Sequence, residues 1–397
     1  MRVVPRRLRE QVQASAEPSQ PADFRTDVRP ERRVREHRLS SAGLRRNQTH
    51  AWSFQHVTEQ LLLQALTIVQ KGCTMRRPLT VIHHGRDASM SYDTIRSHLE
   101  MLQDGVRTEA YLKAIREVVQ PGDRVLDFGC GTGVLSIFAE RAGASKVYAL
   151  DRSRMLTAAR LIFEENHCTH IEPVFGEGAA VELPSQVDVI ISEWMGHFLF
   201  AERMLEPLIR LRDKYLRPGG RMIPERCSLH AALVVTSSQL ENLSFLCTRP
   251  YGIDFSAVGD WPFNEVGVMR MKANELLPET VCIGEFDLLT VTETPRVLNG
   301  SITSPSDVIV YGLCGWFDAQ LSPNVQLSTS PFAAATHWLH FHFPFDRPLD
   351  LPAGEALEIE IHIIPQREQN GYAWQARTSA GWRRGESLES DLADAHQ

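Results

Sequence analysis

Residues 124–141 read RVLDFGCGTGVLSIFAER. A short apolar run meets glycines at 129, 131 and 133, and apolar residues at helical spacing follow directly. A strand that turns this tightly into a helix returns to the sheet by a crossover, which makes its neighbour parallel. The flanking stretches repeat the alternation: VYALD (147–151), SRMLTAARLIFEEN (153–166), IEPVFG (171–176) and VDVIISEW (187–194). RMIPERCSLHAALVV (221–235) continues it as a further strand. Such alternation predicts an α/β fold with a Rossmann-like, doubly wound sheet. Ahead of it, SYDTIRSHLEMLQDGVRTEAYLKAIREVV (91–119) predicts two helices broken near Gly105.

Beyond about residue 225 the texture becomes strand after strand: ETVCIGEFDLL, GSITSPSDVIVYGLCGWFDAQL, THWLHFHFPF and EALEIEIHIIP. These runs are alternating, β-branched or aromatic, which predicts an antiparallel, barrel-like second domain. An insertion at 237–261 is helical in pattern, and its Leu240, Leu243, Phe245, Leu246 and Tyr251 are more apolar than a free surface carries. The expected organisation is an N-terminal extension (1–80), a Rossmann-like domain (81–224), a barrel domain (225–385) and an acidic tail (386–397). Residues 1–46 are rich in Arg, Pro, Ser and Glu, a composition that predicts a disordered arm. VTEQLLLQALTIVQKG (57–72) predicts an amphipathic helix.

A chain of 397 residues with 43% apolar content can bury more than one core. Its formal charge of −7 argues against general nucleic-acid binding. The seven cysteines form neither CxxC pairs nor ladders with histidine, so reduced thiols, no structural zinc and no other metal centre are expected. No apolar run approaches membrane-span length and no secretory signal opens the chain, which predicts a cytoplasmic protein.

A glycine turn between strand and helix lets the backbone approach a cofactor closely, so Gly129 and Gly131, with Asp127 on the strand before them, are candidate cofactor residues. Asp151 ends the next strand, where an acid accepts hydrogen bonds from ribose hydroxyls. The spacing is GxGxG, not the GxGxxG of dinucleotide sites. S-adenosyl-L-methionine, with a ribose but no pyrophosphate, is therefore the first reading and a hydride-transfer cofactor the second.

SEWMGHFLFAERML (192–205) places two acids, Glu193 and Glu202, at the ends of an apolar loop. One reading is that Glu202 opens a helix and favours its positive end; the other is that the loop clamps a cation. Here the chain resembles the protein arginine N-methyltransferases, through an ordered series over roughly residues 88–365. HLEMLQDGVRTEAY is similar to the family's cofactor-covering helix, VLDFGCGTG and VYALD to its cofactor motifs, SEWMG…LFAERML to its double-glutamate loop, and LSTSPFAAATHWLHF to its Thr-His-Trp element.

The resemblance implies that Glu193 and Glu202 hold a substrate guanidinium, with His337 beside them and Asp104 as its partner. It implies that Arg107 pairs with the cofactor carboxylate and that His98 packs by the cofactor. It also puts Met101, Met204 and Trp338 in the substrate pocket, the methionines where members making asymmetric dimethylarginine carry a pair. The insertion 237–261 resembles the arm through which members form homodimers. Three departures stand out: DASMS (87–91) replaces an aromatic pair, Ala179 stands where an acid meets the adenine, and His197 replaces a tyrosine.

Arginine suits two carboxylates on chemical grounds. Its side chain stays protonated below a pH of about 12, so it is a poor nucleophile until it is oriented. Carboxylates that accept from its planar fork draw charge toward the other nitrogens and fix which nitrogen faces the methyl donor. Orientation of this kind is worth roughly 7–11 kcal/mol. The rival substrates are free arginine or a small guanidino metabolite. The rival class is a non-catalytic dimeric scaffold, against which the intact Glu193, Glu202, Arg107 and glycine turn argue.

Overall fold

The computed structural model describes residues 94–386 apart from 260, 367, 368 and 380. The expected N-terminal extension with its helix at 57–72, the 87–91 segment and the tail beyond Glu386 lie outside the described residues. Helices α1 (Ile95–Gln103) and α2 (Gly105–Val118) come first and separate at Asp104. That residue has extended backbone, and its carboxylate accepts the Arg107 N–H at 2.9 Å. An aspartate in this position ends one helix and caps the next.

The parallel sheet follows: β1 (Arg124–Phe128), α3 (Val134–Arg141), β2 (Lys146–Asp151), α4 (Met155–Glu165), β3 (Ile171–Phe175), β4 (Val187–Ser192), α5 (Leu205–Tyr215) and β5 (Leu216–Ile223). The strand order is β3-β2-β1-β4-β5. Central β1 and β4 are almost wholly buried, as strands covered by helices on both faces must be. The winding reverses between β1 and β4, which opens a crevice at their carboxyl ends. Phe128 and Ser192 are register partners, so the glycine turn and Glu193 leave the sheet side by side.

The stretch 221–235 is two strands rather than the single one expected. A cis Ile223–Pro224 peptide ends β5, and β6 (Arg226–Val234) joins a different, antiparallel sheet. Proline has no N–H to continue a ladder, so the chain changes sheets there. The antiparallel half contains β7 (Gly267–Met269), β8 (Leu276–Asp287), β9 (Val297–Thr303), β10 (Val308–Ser322), β11 (Val325–Ser328), β12 (His340–Leu351), β13 (Ala356–Pro365), β14 (Asn370–Thr378) and β15 (Gly381–Glu386). One sheet runs β7-β12-β10-β6-β8 with β11 on β10, the other β15-β14-β13-β9.

Among its described residues the insertion holds one short α-helix, α6 (Ser238–Leu243), followed by 3-10 turns. Pro250, Gly252, Gly259 and Pro262 interrupt what the apolar spacing alone predicted as longer helix. No described helix is long and apolar enough to cross a membrane.

The apolar part of the 193–205 loop joins the two halves. Phe198 inserts into the aromatic core of the antiparallel half, 5.2 Å from the Phe341 ring, 5.3 Å from Phe343 and 5.9 Å from Tyr372. Phe200 meets Phe286 edge-on at 4.9 Å. A Cβ on Gly315 would lie 2.5 Å from the Phe198 ring, so glycine there makes room for the insertion. Truncating Phe198 to alanine is expected to lower the unfolding free energy by about 3–5 kcal/mol in urea titrations, because the buried ring leaves a cavity. A change within error of zero would show that the loop is not anchored by this ring.

Candidate active site

Arg107, on the first turn of α2, reaches across to Glu193, the residue after β4. Its Nε and Nη2 donate to Glu193 Oε2 at 3.1 and 2.8 Å, and the two side chains are 6% and 10% exposed. Burial opposes the charge on Arg107, but the carboxylate of Glu193 outweighs it and keeps the guanidinium firmly protonated. Arg107 was expected to pair with a cofactor carboxylate; its Nη1 is buried with no partner and is left for such a group. Tyr111, one turn further on and fully buried, donates to the Ser192 carbonyl at 3.2 Å and fixes the end of β4 from the same helix.

After Glu193 the loop folds back on itself. Gly196 and Leu199 exchange backbone hydrogen bonds at 3.3 and 3.2 Å. A Cβ on Gly196 would lie 3.4 Å from the Glu202 Cδ, so the second carboxyl group returns to within a few residues of the first. Glu193 is largely buried and Glu202 half-buried. Met204 packs partly against the core just ahead of α5, and Met101 lies half-buried on α1, its carbonyl accepting from Thr108.

Three consecutive residues of the antiparallel half bind the elements that carry these groups. His337 donates its backbone N–H to Asp104 Oδ2 at 2.7 Å, and its Nδ1 lies 2.8 Å from the same oxygen. Burial raises the Asp104 pKa, but hydrogen bonds from His337 and from the Arg107 N–H outweigh it, and the carboxyl titrates below its ordinary range. Trp338 is buried and donates its indole N–H to the Met195 carbonyl at 2.9 Å. Through this bond Trp338 holds the loop at Met195, while its ring lies 4.1 Å from that of His337. Leu339 donates its backbone N–H to His197 Nδ1 at 2.9 Å. That nitrogen must be unprotonated to accept, in keeping with burial holding the His197 pKa down at about 4. An open cleft of about 390 Å³ lies beside this cluster, between Glu100, Gln103, Val106 and Thr336.

At the glycine turn, Gly129 and Gly131 have φ of 75° and 53°. A Cβ on Gly131 would lie 2.4 Å from the His98 ring, whereas one on Gly129 would meet nothing within 4 Å. His98 therefore covers one side of the turn and open space lies over the other. Asp151 accepts the Gly131 N–H at 2.8 Å and the Ser153 N–H at 2.7 Å. Asp127 is fully buried; Ser136 donates to its Oδ2 at 2.6 Å, and its Oδ1 has no partner.

Two family models divide this chain between them. Residues 106–223 match the ribosomal protein L11 methyltransferase (PrmA) model, and 225–373 match the arginine methyltransferase oligomerization subdomain. Protein arginine N-methyltransferase 1 of Saccharomyces cerevisiae is 35% identical over 294 residues, covering 70% of this chain and 84% of the yeast protein. The chain belongs to the protein arginine N-methyltransferase family. Protein arginine N-methyltransferase 6 of Danio rerio is also 35% identical, over 70% of this chain and 85% of its own. Among solved structures, the Trypanosoma brucei PRMT1 enzyme-prozyme heterotetrameric complex with AdoHcy superimposes with a TM-score of 0.69 at 28% identity, covering 75% of this chain and 99% of its own.

This arginine N-methyltransferase has a glycine turn whose surroundings fit S-adenosylmethionine. The amino-acid end of that molecule carries an ammonium and a carboxylate. The two buried unpartnered atoms by the turn, Asp127 Oδ1 and Arg107 Nη1, are an acceptor and a cationic donor that match them. The space over Gly129 admits a group that a side chain would fill. Sequence reasoning missed Tyr111, Phe198 and the loop-holding contacts of Trp338 and Leu339. An aromatic residue marks three of these positions, but nothing local to the chain says what it touches. Among the described residues no group of three His, Cys, Asp or Glu could hold a metal ion.

Burial raises the Asp127 carboxyl to about 7, with Ser136 opposing and the charge of Asp151 adding to the rise. In the unfolded chain the same group ionises near the ordinary value of about 3.9. Between those values the native state holds a proton that the unfolded state has released, so stability falls as pH rises through the window. Urea unfolding of the cofactor-free protein should therefore show Asp127→Asn gaining on wild type as pH is raised from about 4 to about 7. A difference between the two proteins that stays flat with pH would contradict the buried, protonated carboxyl.

Proposed function

We propose that this chain methylates guanidino nitrogens of arginine in proteins, using S-adenosylmethionine, with Glu193 and Glu202 as the two jaws that hold the guanidinium. The observation that carries the reading is the folded-back loop: Glu193 leaves the sheet beside the glycine turn, and the Gly196–Leu199 turn brings Glu202 back toward it. The AdoHcy in the T. brucei complex supports the same methyl donor here. Bound at the glycine turn, the cofactor supplies an electrophilic sulfonium methyl. Arg107 and Asp127 orient its amino-acid end, with Asp151 reaching the ribose and His98 closing over it.

The protein's own groups do the rest. Two carboxylates accept from the guanidinium and hold its charge away from the nitrogen that reacts. That nitrogen sheds a proton as its new bond forms. We assign its acceptance to His337: the bond to Asp104 holds a hydrogen on Nδ1 and leaves Nε2 with the lone pair. Met101 and Met204 border the substrate nitrogen and leave room for a second methyl on it, which points to asymmetric dimethylarginine.

The match of 225–373 to an oligomerization subdomain supports a homodimer through 237–261. In this arm Phe245, Tyr251, Ile253 and Trp261 are all more than half exposed, so a second subunit has apolar surface to cover. The cysteines form no disulfide among the described residues, and we read them as those of a protein of the reducing cytoplasm.

The test is mass spectrometry after incubation with isotope-labelled cofactor, offering an Arg-Gly peptide and free arginine in parallel. The peptide should gain label on its guanidino nitrogens as asymmetric dimethylarginine, and Glu202→Gln should cut the rate by about 100-fold or more. Label on free arginine alone, or full turnover by Glu202→Gln, would overturn the reading. Glu193→Gln is the less clean variant, because it also strands the buried Arg107. Light scattering supplies the second check: wild type should be dimeric at micromolar concentration and a deletion of 237–261 monomeric, and a monomeric wild type would contradict the arm.

A further inference from the structure

The second jaw is approached from the far side of the antiparallel half. Asn370, the first residue of β14, is 8% exposed. Its Nδ2 donates to the Phe200 carbonyl at 2.7 Å, and its backbone N–H donates to the Ala201 carbonyl at 3.0 Å. Beside it, the Gln366 carbonyl accepts Nη1 of Arg203. The residues on both sides of Glu202 are thus held from the one turn that joins β13 to β14.

The loop has a physical need for that support. Leu199 and Arg203 have φ of 53° and 55°, a left-handed conformation that side-chain-bearing residues rarely adopt. Such backbone persists only where its surroundings over-determine it. Glu193 is placed differently, by β4, by Arg107 and by the Trp338 bond to Met195. The two jaws therefore have separate supports.

We propose that Asn370 is a positioning residue for Glu202, acting through the Phe200 and Ala201 carbonyls to hold the left-handed turn that aims the second carboxylate. The inference rests on the reading of Glu202 as a jaw. Asn370 itself touches neither substrate nor the reacting atoms. It distinguishes the two acids: loss of the Asn370 side chain breaks the bond to the Phe200 carbonyl and loosens the turn that carries Glu202, the backbone bond to Ala201 remaining, while the Arg107–Glu193 pair stays in place.

The test uses Asn370→Ala and Asn370→Asp in the full chain; aspartate keeps the size but replaces the donor with an acceptor. Three quantities are measured: kcat and KM on the peptide that wild type methylates, AdoHcy affinity by calorimetry, and amide hydrogen exchange of residues 199–204. Both variants should lose about tenfold to 100-fold in kcat, as expected for a misplaced catalytic group. AdoHcy affinity should stay at the wild-type value, while exchange at 199–204 accelerates and exchange in β1 does not. Wild-type kcat in Asn370→Asp, unchanged exchange at 199–204, or loss of AdoHcy binding in step with kcat would each overturn the proposal. If wild type fails to methylate arginine at all, the reading of the site falls, and the exchange measurement still decides whether Asn370 holds the turn.

Discussion

Carboxylates can select one nitrogen of a guanidinium only if the backbone that carries them is held still, and here that backbone is a loop. The insertion of Phe198 among Phe341, Phe343 and Tyr372 meets this requirement. It explains why so apolar a segment carries two acids: its aromatic residues are anchors into the second half of the molecule, and the glutamates flank what they anchor. The Trp338 bond to the Met195 carbonyl and the Asn370 bonds to the Phe200 and Ala201 carbonyls then fix the two ends of the loop. A loop tied at three places through hydrogen bonds and ring packing has little freedom left to lose on binding, which is the condition for efficient positioning.

The same elements link the halves electrostatically. One aspartate, Asp104, caps α2, pairs with His337 and so joins the first helices to the Thr-His-Trp element. Arg107, three residues later, pairs with Glu193 and leaves its buried Nη1 without a partner. Removing one member of such a pair strands the other without a counter-charge. The groups proposed for the cofactor and for the substrate therefore meet at a single guanidinium.

Much of this was legible in the sequence where local pattern carries it. The glycine turn, the alternating strands and helices, the break at Gly105 and the spacing of Glu193 and Glu202 are all short-range signals. What escaped was long-range. Pro224 divides one apparent strand between two sheets, and periodicity cannot show which sheet a strand joins. The motif that contains Trp338 does not show that its indole also bonds a backbone carbonyl 143 residues away in sequence. Asn370 followed by Gly371 has the look of an ordinary turn signal, and its partner carbonyls lie some 170 residues earlier. The arm's apolar spacing suggested continuous helix, and its prolines and glycines broke it into short turns.

The central claim is that Glu193 and Glu202 together grip the substrate guanidinium. The most direct measurement is a crystal structure of the enzyme with AdoHcy and an arginine-containing peptide. The account predicts the peptide guanidinium within hydrogen-bond distance of both carboxylates, one nitrogen turned toward the cofactor sulfur, and Asn370 still bonded to the Phe200 carbonyl. A guanidinium that reaches only one of the two glutamates, or that binds away from the loop, would contradict it.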